Sequence, residues 1–296
     1  MATVRRIIFG LVLLILACMT SVVFSTQQFQ PIDEIYVFGD SLSDIGTVFR
    51  ATGGTYPPTT NYFQGRYSNG RVWVEYLAEM LHIPESQTKN FACGGATTTS
   101  VSNSPVPGLL TQVQSFTKPY KPANPNALYV LWAGANDYLQ GAGSANIPVE
   151  NVTRAISSLV DVGAKKILVA NLPDLGELPA SRYSGNSASL SALTQAHNQG
   201  LRRKLKLLSQ QQSEIQIATL DANTLYRKAT TNPSAFGFTN VTSACISGAN
   251  ACGNPNQFLF WDDIHPTTAA HRILGEAAFA AIEDSGMVNS PEVLLR

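Results

Sequence analysis

The sequence predicts an α/β fold, a three-layer sandwich in which a central parallel sheet of about five strands is flanked by helices. Short apolar runs alternate along the chain with longer segments of helical period, which is typical of a parallel sheet covered on both faces. Hydrophobic residues make up 44% of the 296 residues and charged residues only 14%, so the chain can fill a complete core. Neither an internal repeat nor a low-complexity tract interrupts this pattern.

Five apolar runs predict the strands of this sheet. Each is short and bounded by polar or turn-forming residues, as expected for buried strands. One of them, directly before Asn90, is weaker than the others. The four clear runs are residues 35–38, 127–132, 166–171 and 215–220.

The segments between these runs carry apolar residues three or four positions apart, which predicts helices. The predicted helices are residues 72–81, 109–117, 148–162, 187–211 and 267–282. Two long stretches, residues 52–69 and 226–260, predict irregular loops, and loops of this length usually have a function. Their aromatic side chains either line a pocket or tether the loops to the body. These are Tyr56, Tyr62, Phe63 and Tyr67 in the first stretch and Phe236, Phe238, Phe258 and Phe260 in the second.

Residues 1–25 have the pattern of a secretory signal peptide. Arg5 and Arg6 precede an apolar stretch at residues 7–17, which is too short to span a membrane comfortably. Cleavage would leave one domain, residues 26–296, in a secreted or periplasmic protein without a stable transmembrane anchor. A second interpretation is a lipoprotein in which Cys18 is lipidated.

The charge balance argues against a nucleic-acid partner. Removing residues 1–25 leaves 18 basic and 20 acidic residues, a net charge of −2 without a basic patch. Among the remaining cysteines, Cys245 and Cys252 lie in a Gly/Asn/Ser-rich stretch where an oxidising compartment permits a disulfide. Cys93 is interpreted as a small buried residue rather than a reactive thiol.

Two segments at opposite ends of the chain could supply a catalytic triad. Ser41 follows the first apolar run, and Asp262 lies three residues before His265. A serine becomes nucleophilic when a histidine takes its proton and a carboxylate orients that histidine. Asp263 is a second candidate for the carboxylate. Taken singly, each segment also fits a turn or a helix cap.

Two further segments could bind the oxyanion of an acyl-transfer intermediate. Gly95, with Gly94 as its neighbouring alternative, offers a backbone N–H that a ligand can approach closely. Asn136 follows the run at 127–132, and the carboxyl ends of parallel strands are where open α/β sheets bind their ligands. Each such donor stabilises the transition state by about 3 kcal/mol.

These four segments together resemble the GDSL lipolytic enzymes, also called SGNH hydrolases, over nearly the whole chain from residue 35. The resemblance implies a flavodoxin-like SGNH-hydrolase fold and Ser41 as nucleophile. It also selects Gly95 and Asn136, with the Ser41 N–H, for the oxyanion hole. The register of the family favours Asp262 as the partner of His265. The four segments read FGDSLSD (38–44), NFACGGA (90–96), GANDY (134–138) and DDIHP (262–266).

One position departs from the family pattern, since Thr47 stands where asparagine is frequent. The stretch GRYSNGRVW at residues 65–73 resembles plant GDSL lipases and a bacterial secreted branch containing lysophospholipase A and glycerophospholipid:cholesterol acyltransferases. The resemblance therefore implies a lipid ester substrate and a lysophospholipase or phospholipase A that releases fatty acid. Acyl transfer to an alcohol such as a sterol is a further option.

Other functions remain open at this stage. A carbohydrate or aryl esterase would use the same fold and residues. The α/β-hydrolase motif Gly-x-Ser-x-Gly does not fit, because Ser43 replaces its second glycine. A metal-dependent phosphoesterase and a non-catalytic secreted binding protein are alternatives of other classes. We expect no cofactor and no metal, since His82 and His197 lie away from the four segments and His271 is expected to be exposed on the last helix.

Overall fold

The computed structural model describes residues 31–100, 106–119, 122–248 and 250–288. Within these residues the main sheet has five strands, all parallel, in the order β2-β1-β3-β4-β5. Every predicted strand is present, and the predicted fold class is confirmed. The strands are β1 (Ile35–Gly39), β2 (Thr88–Asn90), β3 (Leu128–Trp132), β4 (Lys166–Ala170) and β5 (Gln216–Leu220).

The strand order reverses between β1 and β3, which are neighbours in the sheet but not in sequence. Their register pairs Ile35 with Leu128 and Gly39 with Trp132. A Cβ added at Gly39 would lie 2.3 Å from the Trp132 carbonyl oxygen, so only glycine permits this close approach. The carboxyl ends of these two strands form the crevice where ligands bind in doubly wound sheets.

Helices cover both faces of the sheet. The five predicted helices occur with small changes at their ends, and three shorter ones were not predicted because five to ten residues show little periodicity. The predicted set is α2 (Trp73–Met80), α3 (Leu109–Thr117), α5 (Asn146–Val160), α6 (Ser187–Gln211) and α8 (Thr268–Asp284). The shorter set is α1 (Thr47–Ala51), α4 (Ala135–Leu139) and α7 (Ala222–Thr231).

Two apolar cores lie on opposite faces of the sheet. Alternate strand residues such as Val37 and Val130 pack with α2, α7 and α8. Their neighbours Phe38 and Leu131 pack with α3, α5 and α6. Because both faces are covered, all five residues of β1 are buried.

The prediction that residues 226–260 are irregular is wrong in part. The stretch contains the end of α7 and four short strands, which form a parallel pair β6–β9 and an antiparallel pair β7–β8. Strands of two to five residues give too short a pattern to detect in sequence. Their bounds are β6 (Asn240–Ala244), β7 (Ile246–Ser247), β8 (Asn250–Ala251) and β9 (Phe258–Phe260).

The predicted signal peptide, residues 1–25, and Cys18 lie outside the described residues, so the domain division remains a prediction. No helix among the described residues is long and apolar enough to cross a membrane.

Candidate active site

The turn after β1 presents Ser41 at the carboxyl edge of the sheet. The Asp40 carbonyl accepts hydrogen bonds from the N–H groups of Ser43 and Asp44, each at 3.1 Å. Asp40 Oδ1 also accepts from the Leu42 N–H at 3.1 Å, so this carboxyl braces the turn. Burial is the main reason why the pKa of Asp40 rises to about 7. Ser41 itself is largely buried, in contact with the opposite segment.

The structure brings Ser41, Asp262 and His265 together. His265 Nε2 lies 2.8 Å from Ser41 Oγ, and His265 Nδ1 lies 2.8 Å from Asp262 Oδ2. An ionised Asp262 holds the proton on Nδ1, which leaves Nε2 as the acceptor of the Ser41 proton. The geometry is that of a hydrogen-bonded Ser-His-Asp triad.

Asp262 is held in its ionised form. Burial alone would raise its pKa, but the charge and hydrogen bond of His265 and the N–H groups of His265 and Ile264 lower it to about 2. These two N–H groups donate to Asp262 Oδ1 at 2.7 and 2.8 Å. Asp263, the alternative candidate, is exposed, and its carbonyl accepts from the Ala180 N–H.

Gly95 has an open backbone position in the turn that follows β2. Its φ is +80°, and a Cβ added there would meet no atom within 4 Å. The N–H of Gly94, the neighbouring candidate, donates to Asp44 Oδ2 at 2.9 Å and is therefore already used. Asp44 also accepts from the Thr47 N–H, so the departure from the family pattern at Thr47 leaves this turn hydrogen-bonded.

Asn136 lies in the first turn of α4, directly after β3. Its Nδ2 donates to the Ala96 carbonyl at 3.0 Å, and the second proton of the same nitrogen is available for a ligand. Asp137 accepts from Thr98 Oγ1 at 2.7 Å and from the Thr98 N–H at 2.9 Å. The adjacent residues Asn136 and Asp137 of α4 thus both bind residues 96–98. These bonds fix Asn136 relative to Gly95.

A narrow apolar slot opens beside Ser41 and Asn136. Its volume is about 20 Å³, little more than one water needs. The apolar side chains of the slot are Leu42, Ala135, Leu139, Pro173, Leu175, Leu178, Tyr226 and Ile264. None of the aromatic residues of 52–69 is among them, so the slot is built chiefly from aliphatic side chains.

Comparison with known proteins decides the family. The model of the GDSL-like Lipase/Acylhydrolase family matches residues 35–278. The chain belongs to this family. Its hydrolases act on esters, and the four sequence segments that carry the resemblance meet at one site in the fold.

This GDSL family member is similar to two known proteins in sequence and to one solved structure in fold. Phosphatidylcholine-sterol acyltransferase of Aeromonas hydrophila is 29% identical over 306 residues, which cover 84% of this chain and 90% of that protein. Thermolabile hemolysin of Vibrio parahaemolyticus is 29% identical over 276 residues, 85% of this chain, but the chain spans only 64% of the hemolysin. The α/β hydrolase LAE5 from the metagenome of Lake Arreo, Spain, has a TM-score of 0.50, 18% identity, and coverage of 88% of this chain and 99% of LAE5. That identity shows the fold alone.

Residues 62–71 contact the triad and the segment around it, which no pattern in the sequence predicts. The Tyr67 ring lies 5.1 Å from the His265 ring, centroid to centroid. Ser68 Oγ donates to the Pro266 carbonyl at 2.9 Å, and Asn69 Oδ1 accepts from the Thr268 N–H at 2.8 Å. Tyr62 Oη donates to Asp262 Oδ2 at 2.8 Å. These contacts lie against the triad rather than in the slot.

The expectation that His271 is exposed is wrong. His271 is fully buried, and its Nδ1 accepts from the Trp73 N–H at 3.2 Å. Trp73 in turn donates through Nε1 to Ser43 Oγ at 3.1 Å, so this pair links α8 to the turn that carries Ser41. His271 lies three residues before Leu274 and seven before Ala278, on the buried face of α8. This helical spacing indicates burial.

The cysteines lie as predicted. Cys245 and Cys252 form a disulfide, and Cys93 is free and buried. Burial raises the pKa of the Cys93 thiol to about 11, so it is not poised as a nucleophile. Among the described residues, no group of three or more His, Cys, Asp or Glu side chains could hold a metal ion.

Proposed function

We propose that this protein is an exported serine ester hydrolase acting on lipids, a lysophospholipase or phospholipase A that releases fatty acid. The observation that carries the proposal is the hydrogen-bonded set of Ser41, His265 and Asp262 beside an apolar slot. A Ser-His-Asp triad of this geometry activates a serine for attack on a carbonyl carbon. The aliphatic lining of the slot suits contact with the apolar part of an acyl group.

The proposed reaction has two steps. Ser41 Oγ attacks the ester carbonyl while its proton passes to His265 Nε2, and Asp262 stabilises the resulting imidazolium. The N–H groups of Ser41 and Gly95 and the side-chain amide of Asn136 bind the oxyanion. His265 then gives its proton to the leaving alcohol. Water deprotonated by His265 attacks the acyl-serine in the second step, and Ser41 recovers its proton.

The second step also defines the option of acyl transfer. An alcohol in place of water would take the acyl group from Ser41 and give a new ester. The similarity to a phosphatidylcholine-sterol acyltransferase supports this option and a lipid substrate. The slot holds little more than one water, so a fatty-acyl chain requires its lining side chains to move apart or must run along the surface.

Export is part of the proposal. The basic and apolar pattern of residues 1–25 supports a signal peptide, with lipidation of Cys18 as the alternative. The disulfide between Cys245 and Cys252 also suits an oxidising compartment. We therefore propose a secreted or periplasmic protein. N-terminal sequencing of the exported protein tests this, and a start at residue 1 would overturn it.

One competition assay tests the substrate. Purified protein would be given lysophosphatidylcholine, phosphatidylcholine, a triacylglycerol, phenyl acetate and acetylated xylan, with and without cholesterol as acyl acceptor. We expect fastest fatty-acid release from lysophosphatidylcholine, and loss of activity in Ser41→Ala with folding intact. Preference for acetylated xylan or phenyl acetate would favour a carbohydrate or aryl esterase. Activity that survives Ser41→Ala but is lost with EDTA would favour a metal-dependent enzyme, and no activity at all a binding protein.

A further inference from the structure

Tyr62 reaches the triad from a part of the chain that is 200 residues away in sequence. Its hydroxyl donates to Asp262 Oδ2 at 2.8 Å. The tyrosine is positioned by its own segment, because its N–H donates to the Pro58 carbonyl at 3.1 Å and the next N–H, of Phe63, donates to the Ser68 carbonyl at 2.9 Å. Ser68 is itself bound to Pro266. The contact is therefore supported on both sides.

The two oxygens of the Asp262 carboxylate have different hydrogen-bond partners. Oδ1 accepts from the backbone N–H groups of Ile264 and His265. Oδ2 lies 2.8 Å from His265 Nδ1, and Tyr62 is its other donor. Both oxygens lie within hydrogen-bond distance of His265 Nδ1, Oδ1 at 2.9 Å and Oδ2 at 2.8 Å. Backbone groups fix Oδ1, whereas Oδ2 accepts from Tyr62, a side chain of a distant loop. A carboxylate with both oxygens bound cannot rotate freely about its last bond.

We propose that Tyr62 is a positioning residue for the proposed hydrolysis, which holds Asp262 in the rotation that orients His265 toward Ser41. The inference rests on the proposed function. Tyr62 touches neither the slot nor Ser41 among the contacts of the described residues, so it acts through Asp262. The hydrogen-bonded series is Ser41, His265, Asp262, Tyr62.

Removing the hydroxyl has two expected effects. The carboxylate gains freedom to rotate, which lowers kcat because fewer molecules hold His265 in line with Ser41. The carboxylate also loses a donor that stabilises its negative charge, so it holds the imidazolium proton more tightly. The acid limb of kcat/KM should then move to higher pH.

Other titratable groups near these residues have to be considered in that profile. The charges of Asp40 and His265 interact, as do those of His271 and His265, and the Tyr67 ring packs on the imidazole. Asp263 and Tyr56 lie near Tyr62. A substitution at Tyr62 keeps all of these side chains. A difference between the pH profiles of the variant and the parent is therefore assigned to the Tyr62 hydroxyl.

Tyr62→Phe is the direct test, with p-nitrophenyl butyrate as the probe. We expect kcat to fall about tenfold, the kinetic equivalent of one hydrogen bond to a charged group, with KM changed less than twofold. The acid limb of kcat/KM should shift upward, and the melting temperature should match that of the parent. An unchanged kcat or an unmoved acid limb would overturn the inference.

Tyr76→Phe is the matched control. The Tyr76 hydroxyl lies 2.7 Å from Thr268 Oγ1 and does not contact Asp262. The substitution therefore removes the same chemical group as Tyr62→Phe, but at a different place. Its kcat and acid limb should equal those of the parent. In an Asp262→Asn background, Tyr62→Phe should cost nothing more, because its partner is already changed. An equal loss with and without Asp262 would assign Tyr62 a structural role only.

Failure of the proposed function gives a different result. If Ser41→Ala hydrolyses the probe as fast as the parent, the triad assignment fails, whatever Tyr62 does. If Ser41→Ala is inactive while Tyr62→Phe matches the parent, only the role of Tyr62 is wrong.

Discussion

The two halves of the site are held in place by different means. Ser41, Gly95 and Asn136 follow β1, β2 and β3, and the pairing of β1 with both neighbours sets their separation. Asp262 and His265 lie on a segment outside that sheet, between β9 and α8. That segment is positioned by hydrogen bonds from several loops. We call the first group the sheet half and the second the loop half.

Several regions support the loop half. Residues 62–71 contact both its side chains and its backbone, as Tyr62 does with Asp262 and Ser68 with the Pro266 carbonyl. The disulfide region contacts its backbone, since the N–H groups of Cys245 and Ile246 donate to the Phe260 and Trp261 carbonyls at 3.0 and 2.9 Å. Continuous strand pairing therefore holds the sheet half, whereas the geometry of the loop half depends on individual contacts that can be removed one at a time.

The largest effect should follow from the centre of the loop half. Asp262→Asn should lower kcat about 10⁴-fold, because a neutral amide neither fixes the imidazole tautomer nor stabilises the imidazolium. Steady-state hydrolysis of a short-chain ester measures this. Asp263→Asn, one residue away and exposed, is the matched control and should behave as the parent. Equal losses in the two variants would contradict the assignment of Asp262.

A smaller loss is expected in the sheet half. Asn136→Ala should lower kcat about 10²-fold with little change in KM, because the donor binds charge that exists only in the transition state. Asn146→Ala, exposed at the start of α5, serves as its control. A rise in KM at constant kcat would show instead that Asn136 binds the ground state.

Acid should weaken the link between the two halves. Burial lowers the pKa of His271 to about 3 and that of His197 to about 4, from 6.5 in the unfolded chain. Well above pH 6.5 each histidine is neutral in both the folded and the unfolded state, so its contribution to stability does not change with pH. As pH falls from 6.5 toward the folded pKa, the unfolded state binds the proton first, so each histidine costs up to about 1.4 kcal/mol per pH unit.

The measurement is the free energy of unfolding against pH for the parent and His271→Gln. The variant should lose less stability on acidification, and exposed His82→Gln should follow the parent. The test compares the curve of the variant with that of the parent, because Asp40 contributes to both. Its raised pKa makes the free energy of unfolding increase as pH falls from about 7 to 3.8, which opposes the effect of the histidines. Parallel curves for His271→Gln and the parent would refute the prediction.

The smallest effect concerns the disulfide. Cys245→Ser should cost about 2.5 kcal/mol of stability or less, because the closed loop is short. Activity should fall by several-fold, since Cys245 pairs with the strand that leads to Asp262. Cys252→Ser breaks the same bond and should give the same values. An unchanged kcat in both variants would make the bond a plain staple, and free thiols in the exported protein would end the idea.

The sheet half could be predicted from sequence because its residues follow apolar strands. A strand end is a local feature, and parallel strands bring their carboxyl ends to one edge. Asp262 and His265 were found through their three-residue spacing and the family resemblance. The resemblance favours Gly95 over Gly94, and the hydrogen bond from the Gly94 N–H to Asp44, which no sequence pattern reports, agrees with that preference.

The supports of the loop half could not be predicted in the same way. Tyr62 was noticed only as one aromatic residue in an irregular loop, and its contact with Asp262 spans 200 residues. Whether such side chains line a pocket or tether a loop depends on tertiary packing, which periodicity does not report. Here Tyr62 and Tyr67 contact the triad, while Phe236 and Phe238 pack on the apolar core.

The 224-residue separation of Ser41 from His265 has a consequence for the timing of activity. Chains emerge and fold from their N-terminal end. A partly made chain therefore contains Ser41, Gly95 and Asn136 before His265 is synthesised. Ser41 then has no histidine to take its proton until the segment that carries Asp262 and His265 has been added and has docked against the turn after β1.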